Sequence, residues 1–268
     1  MPLTMYRAIV GTLTGLFIAA CVLSAAAGFH YAYASTDEGA REILKKADLS
    51  RSPWSDFTMK SILNFKRRGT PVEETYRVYV KDHTKTLVGF LNPVKQRGNL
   101  LLMIGDNLWY YVKDTRRPIR ITPIQKLSGG ASYGDISRLS WSEDYDPVIT
   151  GKEEIEIGEV SYPCIHLELT ARSKGATYHR ISLYVEEGTF FPRKADVYLR
   201  SGVHMKTLYY TVFKKLYGKF FNSEVVFVDH MSNDMITTLK YDEIEPRELP
   251  DRYFLRTQLS TLYGEVIK

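Results

Sequence analysis

The sequence predicts a mainly β protein built on one large antiparallel sheet, and three observations carry that expectation. Aromatic residues are abundant, with 19 tyrosines, 12 phenylalanines and 3 tryptophans against 18 glycines in 268 residues; such side chains suit half-buried pleated surfaces. Beyond Trp54, apolar and polar residues alternate with period two over many runs, as strands with one buried face do. The connections are short and no run is followed by a full crossover helix, so sequential antiparallel pairing is the economical topology. At 44% hydrophobic and 25% charged residues, the composition excludes disordered and collagen-like chains.

The first element is an export signal. One positive charge, Arg7, precedes an uncharged stretch from Ala8 to Ala34, and Ala32-Tyr33-Ala34 forms an A-x-A cleavage site. Residues 1–34 are therefore expected to be a signal peptide, residues 35–268 a single domain, and the compartment the periplasm. An uncleaved membrane anchor over 8–29 and lipidation at Cys21, after Ile18-Ala19-Ala20, are the competing readings. Cleavage would leave Cys164 as the only thiol and no internal disulfide.

Ser35 and Glu38 form a capping box, and Ala40, Ile43, Leu44 and Ala47 recur at helical spacing, which predicts a helix over 37–49 ended by Ser50–Pro53. Alternation then predicts strands around Phe57–Lys66 and Thr75–Val80, followed by Lys85–Leu91, Asn99–Ile104, Leu108–Lys113 and Pro118–Thr122. Gly105-Asp106-Asn107 supplies a hairpin turn. The pattern breaks over 123–145, where Gly129-Gly130 precedes a one- or two-turn helix at 133–139. Strands resume at Val148–Ile157, Val160–Ala171, Thr177–Val185, Phe190–Arg200, Val203–Phe213, Glu224–Met231 and Met235–Ile244. A short helix over Arg252–Leu262 closes the chain.

Chemistry is sparse. The net charge of +5 is dispersed, and its tightest clusters, Lys66-Arg67-Arg68 and Arg116-Arg117, form no stripe of the kind nucleic acid requires. There is no G-x-S-x-G, metal-ligand spacing or phosphate loop, so neither catalytic residues nor a cofactor nor a metal is expected. Cys164 and His166 share a strand face, yet a cysteine in a strand usually behaves as a small buried hydrophobe. An exported hydrolase using dispersed histidines and carboxylates is the alternative from a different class. Several strands are apolar on both faces, notably Leu100–Ile104, Leu108–Val112, Leu208–Phe213 and Val225–Val228. Helices, a second sheet or a ligand must cover the second face.

Ile104-Gly105-Asp106-Asn107-Leu108-Trp109-Tyr110-Tyr111 followed by Arg116-Arg117-Pro118-Ile119-Arg120-Ile121 resembles the W-x-Y…R-R-x-x-R-I block of bacterial outer-membrane lipoprotein-sorting proteins of the LolA-like superfamily. Gly129-Gly130-Ala131-Ser132-Tyr133-Gly134-Asp135-Ile136, Glu143-Asp144-Tyr145 and the Glu42–Asp48 helix fit the same pattern. Val112-Lys113-Asp114 lacks the proline often found there, and Gly134 replaces an acid. The resemblance implies a strongly curved, unclosed antiparallel β-barrel with short helices forming a lid over its concave face. It implies a non-enzymatic periplasmic carrier of lipid or lipoprotein acyl chains, with transient membrane contact and an inner-membrane transporter as a further partner. A lipid-sensing envelope-stress domain is the alternative within this fold. Phe90, Leu102, Trp109, Tyr111 and Phe227 are assigned to the cavity wall. Arg116, Arg117 and Arg120 are assigned to headgroup or partner contact, with a solvated strand face as the other reading. Trp109 and Tyr111 share one strand face and Tyr110 takes the other; which looks inward is left open.

Overall fold

The apolar stripe Ala40, Leu44 and Ala47 is buried along the first helix, α1 (Asp37–Leu49). Ser50 and Arg51 then fold back on the helix end, with Ser50 N donating to Ala47 O and Arg51 N to Asp48 O. This computed structural model describes residues 37–267. The expected signal segment, the anchor and Cys21 alternatives, and the Ser35 half of the capping box lie outside the described residues. Among the described residues no helix is long and apolar enough to cross a membrane.

Six strands follow as sequential hairpins: β1 (Phe57–Arg67), β2 (Thr70–Lys81), β3 (Lys85–Asn92), β4 (Leu100–Ile104), β5 (Asn107–Val112) and β6 (Arg117–Ile121). The small hairpin β7 (Lys126–Ser128) and β8 (Ala131–Ser132) leads into α2 (Tyr133–Ser137). The second series is β9 (Tyr145–Ile157), β10 (Val160–Ala171), β11 (Arg180–Glu186), β12 (Pro192–Tyr198), β13 (His204–Leu216), β14 (Lys219–Asp229) and β15 (Met235–Pro246), before α3 (Leu259–Val266). All strands but β7 and β8 form one antiparallel sheet in the order β6-β5-β4-β3-β2-β1-β15-β14-β13-β12-β11-β10-β9. Among the described residues, only the β1–β15 pairing in this sheet joins strands distant in sequence, and it fuses the two series. The sheet is curved and unclosed, with β6 and β9 at its edges and the β7–α2 insert running between them.

Both faces of the sheet are covered over β2–β5, which accounts for the doubly apolar strands there. The main core packs Phe57, Leu63, Tyr76, Val88, Phe90, Leu101, Tyr210 and Phe227 against α1 and against Ile136, Leu139 and Trp141 of the insert. On the opposite face Tyr79, Leu87, Leu100, Leu102 and Tyr111 meet Leu249, Tyr253, Phe254, Leu259, Leu262 and Val266 of the C-terminal segment.

Several predicted elements differ in extent, among them β2, which begins at Thr70 rather than Thr75, and β9, which begins at Tyr145 rather than Val148. The 252–262 helix is instead two 3-10 turns, Asp251–Phe254 and Arg256–Gln258, followed by α3, because the apolar i, i+3, i+7 spacing begins only at Leu259. β13 and β14 extend to a tight turn at Tyr217-Gly218, both with positive φ (47° and 78°), the geometry of a two-residue hairpin. Their ends are solvated and show no alternation. The β7–β8 hairpin was not expected from sequence at all. Gly129 makes it fit: φ is +55°, and a Cβ there would lie 2.8 Å from Thr237 Oγ1 and 2.9 Å from the Phe65 ring.

Candidate ligand-binding site

The concave face is closed by a short set of polar contacts between the end of α1 and the insert. Asp48 is buried, and its carboxylate accepts from Trp141 N and Ser142 N at 2.8 Å each and from Ser140 Oγ at 2.9 Å. Burial raises the pKa of this carboxyl, opposed first by the Arg51 charge and then by the N–H donors of Trp141 and Ser142. Arg51 lies 3.7 Å over the Trp141 ring and donates to Arg138 O at 3.2 Å. Its Nη1 is buried without a hydrogen-bond partner, although Asp48 Oδ1 is 3.6 Å away. Arg138 then pairs with Asp144 at 2.6 Å and donates to Gly105 O in the β4–β5 turn. Asp48 and Arg51 thus hold the insert as a lid through groups all within one helix end.

A second buried pair anchors the other side of the insert. Lys206 on β13 is fully buried, and its Nζ contacts Gly130 O at 2.6 Å, Asp135 Oδ2 at 3.0 Å and Ser132 Oγ at 3.1 Å. Asp135 also accepts from Ser132 N and Tyr178 Oη, both at 2.7 Å. A buried ammonium is tolerable only with such full pairing.

Inside this closure the concave face is nearly filled. Voids of about 30 and 20 Å³ border Tyr210, Leu208 and Asp135, each room for about one water. The larger space is a groove of about 420 Å³ at the end of α1, lined by Leu49, Pro53, Phe190, Phe191 and Phe220, with Lys46 and Lys219 at its rim. Lys46 Nζ lies 4.5 Å over the Phe190 ring, and Lys219 Nζ donates to Pro53 O at 2.7 Å. Leu49 and Phe220 are 57% and 48% exposed. The groove's size is that of an ordinary small-ligand site.

The structure divides the residues assigned to the cavity wall. Phe90 and Phe227 are buried on the concave side, where Tyr110 also packs, 5.5 Å from Phe90. Leu102, Trp109 and Tyr111 belong to the opposite face under the C-terminal segment. The five therefore do not share one surface. Arg116, Arg117 and Arg120 are exposed on and beside edge strand β6, and no ion pair to an acidic side chain holds them among the described residues. Cys164 is buried with Ile155 and Tyr184, and burial pushes its thiol up to about 12, far from a reactive thiolate. His166 stacks on Tyr184 and bonds Glu153 and Glu168. Asp48, Arg51, Trp141 and Lys206 were missed because nothing in their sequence spacing marks them as partners. The acid at the end of an amphipathic helix was the one available signal.

Residues 82–261 match a family model described as "Uncharacterized protein". No curated protein matches the chain. Among solved structures, a LolA superfamily protein from Nitrosomonas europaea is 29% identical with a TM-score of 0.73, covering 81% of this chain and 97% of its own. A domain described as an outer membrane lipoprotein-sorting protein, from Vibrio parahaemolyticus, is 18% identical with a TM-score of 0.71, covering 84% and 100%. A DUF1329 family protein from Desulfovibrio piger is 19% identical with a TM-score of 0.69, covering 83% and 98%.

Proposed function

Because the chain belongs to that family and to the LolA-like superfamily, we propose that it is a carrier: it takes up acyl chains of lipids or lipoproteins through the α1 groove and shelters them on the concave face while they cross the periplasm. The observation that carries this reading is an apolar concave face covered by an insert that packs Ile136, Leu139 and Trp141 onto it and is tied at its two sides by the Asp48–Arg51 and Lys206–Asp135 contacts. Voids of about 20 and 30 Å³ admit no acyl chain, so loading requires the insert to move away from Asp48 and Arg51. The groove offers the starting point, since Leu49 and Phe220 expose apolar surface next to the helix end that carries both groups.

Each buried CH₂ contributes about 0.8 kcal/mol. A chain entering the concave space therefore gains enough to offset the loss of several lid hydrogen bonds, at about 1 kcal/mol each. Lys46 and Lys219 at the groove rim suit a polar or anionic head left outside. Release to an acceptor runs the same steps in reverse, and no reaction at a bond is involved. In this reading residues 1–34 deliver the chain to the periplasm, and the cargo comes from an inner-membrane transporter.

Titration with a fluorescent fatty acid tests the reading. Saturable binding, weakened at least tenfold by Leu49→Asp/Phe220→Asp in a variant with unchanged circular dichroism, is the expected result. Absence of saturable binding by the wild type, or equal binding by this variant, would exclude the groove as the entrance.

A further inference from the structure

A second pocket lies at the opposite end of β14 from the acyl groove. The register pairs Phe65 with both Val72 and Thr237, and Thr75 with Asn92. The Arg68-Gly69 turn, the 93–99 connection and the 230–234 connection therefore lie along one edge of the sheet. Between the first of these and β7 is a pocket of about 350 Å³, floored by Phe65, Leu127 and Met235 and walled by Lys66, Arg67, Arg68 and Lys126.

The wall is built rather than incidental. Gly130 N donates to Thr237 Oγ1 at 2.8 Å, and Gly130 O accepts from buried Lys206, so the β7–β8 hairpin is pinned from beneath. The buried Glu74 carboxylate accepts from Tyr76 Oη at 2.7 Å, Ser128 Oγ at 2.8 Å and Arg67 Nη2 at 3.4 Å, and Lys126 Nζ is 3.6 Å from Asp229. Those two acids offset Arg67 and Lys126. Lys66 and Arg68 have no ion pair among the described residues, so the pocket keeps an excess of positive charge.

The same edge exposes aliphatic side chains that no neighbour covers: Val94 at 75%, Met231 at 58% and Ile236 at 62%. A solvated charged rim does not need them, and an apolar docking patch does not need the cations. Their combination fits the headgroup and acyl boundary of an anionic bilayer, where phosphate meets lysine and arginine and short apolar side chains enter the interface.

We propose that this edge docks the protein on an anionic phospholipid bilayer, with a headgroup phosphate seated among Lys66, Arg67, Arg68 and Lys126. The docking is independent of whether the concave face carries a lipid. It leaves the acyl groove at the far end of β14 facing away from the point of attachment.

Flotation with vesicles of phosphatidylglycerol and of phosphatidylcholine tests this on the full chain. Binding is expected to the former only, and to fall steeply between 0.05 and 0.5 M salt as screening shortens to roughly 5 Å. Lys66→Glu/Arg68→Glu should weaken it about 25-fold or more, at about fivefold for each cation lost. Lys45→Glu/Lys214→Glu, the same charge change at exposed positions toward the other end of β14, should bind as wild type. Met231→Ser/Ile236→Ser should weaken binding while leaving the salt slope unchanged, a result that a folding defect in the charge variant could not produce. Equal binding to both lipids, equal losses in the two charge variants, or no vesicle binding at all would overturn the proposal. So would release by inorganic phosphate beyond that caused by chloride of equal ionic strength, since the pocket would then serve a free anion.

Discussion

Replacing Asp48 should open the lid without unfolding the sheet. Its carboxylate takes three hydrogen bonds, two of them from backbone N–H groups of Trp141 and Ser142. Asp48→Ala leaves both N–H groups without their acceptor and removes the acid beside the Arg51 guanidinium, which keeps Arg138 O and the Trp141 ring, in a largely buried setting. At about 1–3 kcal/mol for each stranded donor, and with mutual relaxation, the cost comes to about 3–5 kcal/mol, the range found on breaking buried charged pairs. That cost falls on contacts between α1 and the insert, while the β1–β15 and β13–β14 ladders keep every bond. Hydrogen exchange read by mass spectrometry resolves the two. Amides of residues 133–145 should exchange at least a hundredfold faster in Asp48→Ala, and those of β1 and β15 should follow the global stability alone. Asp48→Asn keeps one acceptor oxygen and should fall between the two proteins. Uniform acceleration across sheet and insert would refute a separable lid, because it would make the insert part of one cooperative unit.

Lys206→Met strands the Asp135 carboxylate and should cost about 3–5 kcal/mol in urea denaturation, much of it regained in Lys206→Met/Asp135→Leu, where neither charge is left buried. Leu262→Ala, at a fully buried position beneath the C-terminal helix, should cost about 2–5 kcal/mol and lower the denaturation midpoint without changing m. Glu243 accepts from Arg77 and Lys60, which hold its carboxyl below the usual glutamate range. Its folded pKa lies below the unfolded one, so the stabilisation is present at neutral pH and is lost as pH falls through the folded value. The side chain is about half exposed, so Glu243→Gln should cost under about 1 kcal/mol at pH 7 and nothing at pH 2.5, measured by thermal melting at each pH.

Much of the sheet was legible in the sequence because its signals are local. Period-two alternation located the main-sheet strands, turn residues marked most hairpins, and the Ala40–Ala47 spacing gave α1 with its observed bounds. The signal failed where local pattern carries no information. The solvated tips of β13 and β14 do not alternate, and the β7–β8 hairpin exists because Gly129 tolerates the close approach of Phe65 and Thr237 from distant strands. The same distinction governs the site. Strands apolar on both faces showed that something covers each face, but not which cover lies where. In β4 and β5 the second cover is the C-terminal segment, which therefore takes in Leu102, Trp109 and Tyr111. Asp48 and Trp141 are 93 residues apart, and no periodicity links an acid at a helix end to amides in an irregular insert. The cationic edge was visible as Lys66-Arg67-Arg68, but its meaning depends on Lys126, Met231 and Ile236, which only the register brings near.

Mass spectrometry of lipids extracted from the protein, purified under native conditions from cells of an envelope-bearing bacterium, tests the carrier reading most directly. The account predicts acyl lipid or acylated peptide at a stoichiometry approaching one per chain, and markedly less in Leu49→Asp/Phe220→Asp. Extracts with no more acyl lipid than an unrelated exported protein handled identically would contradict it.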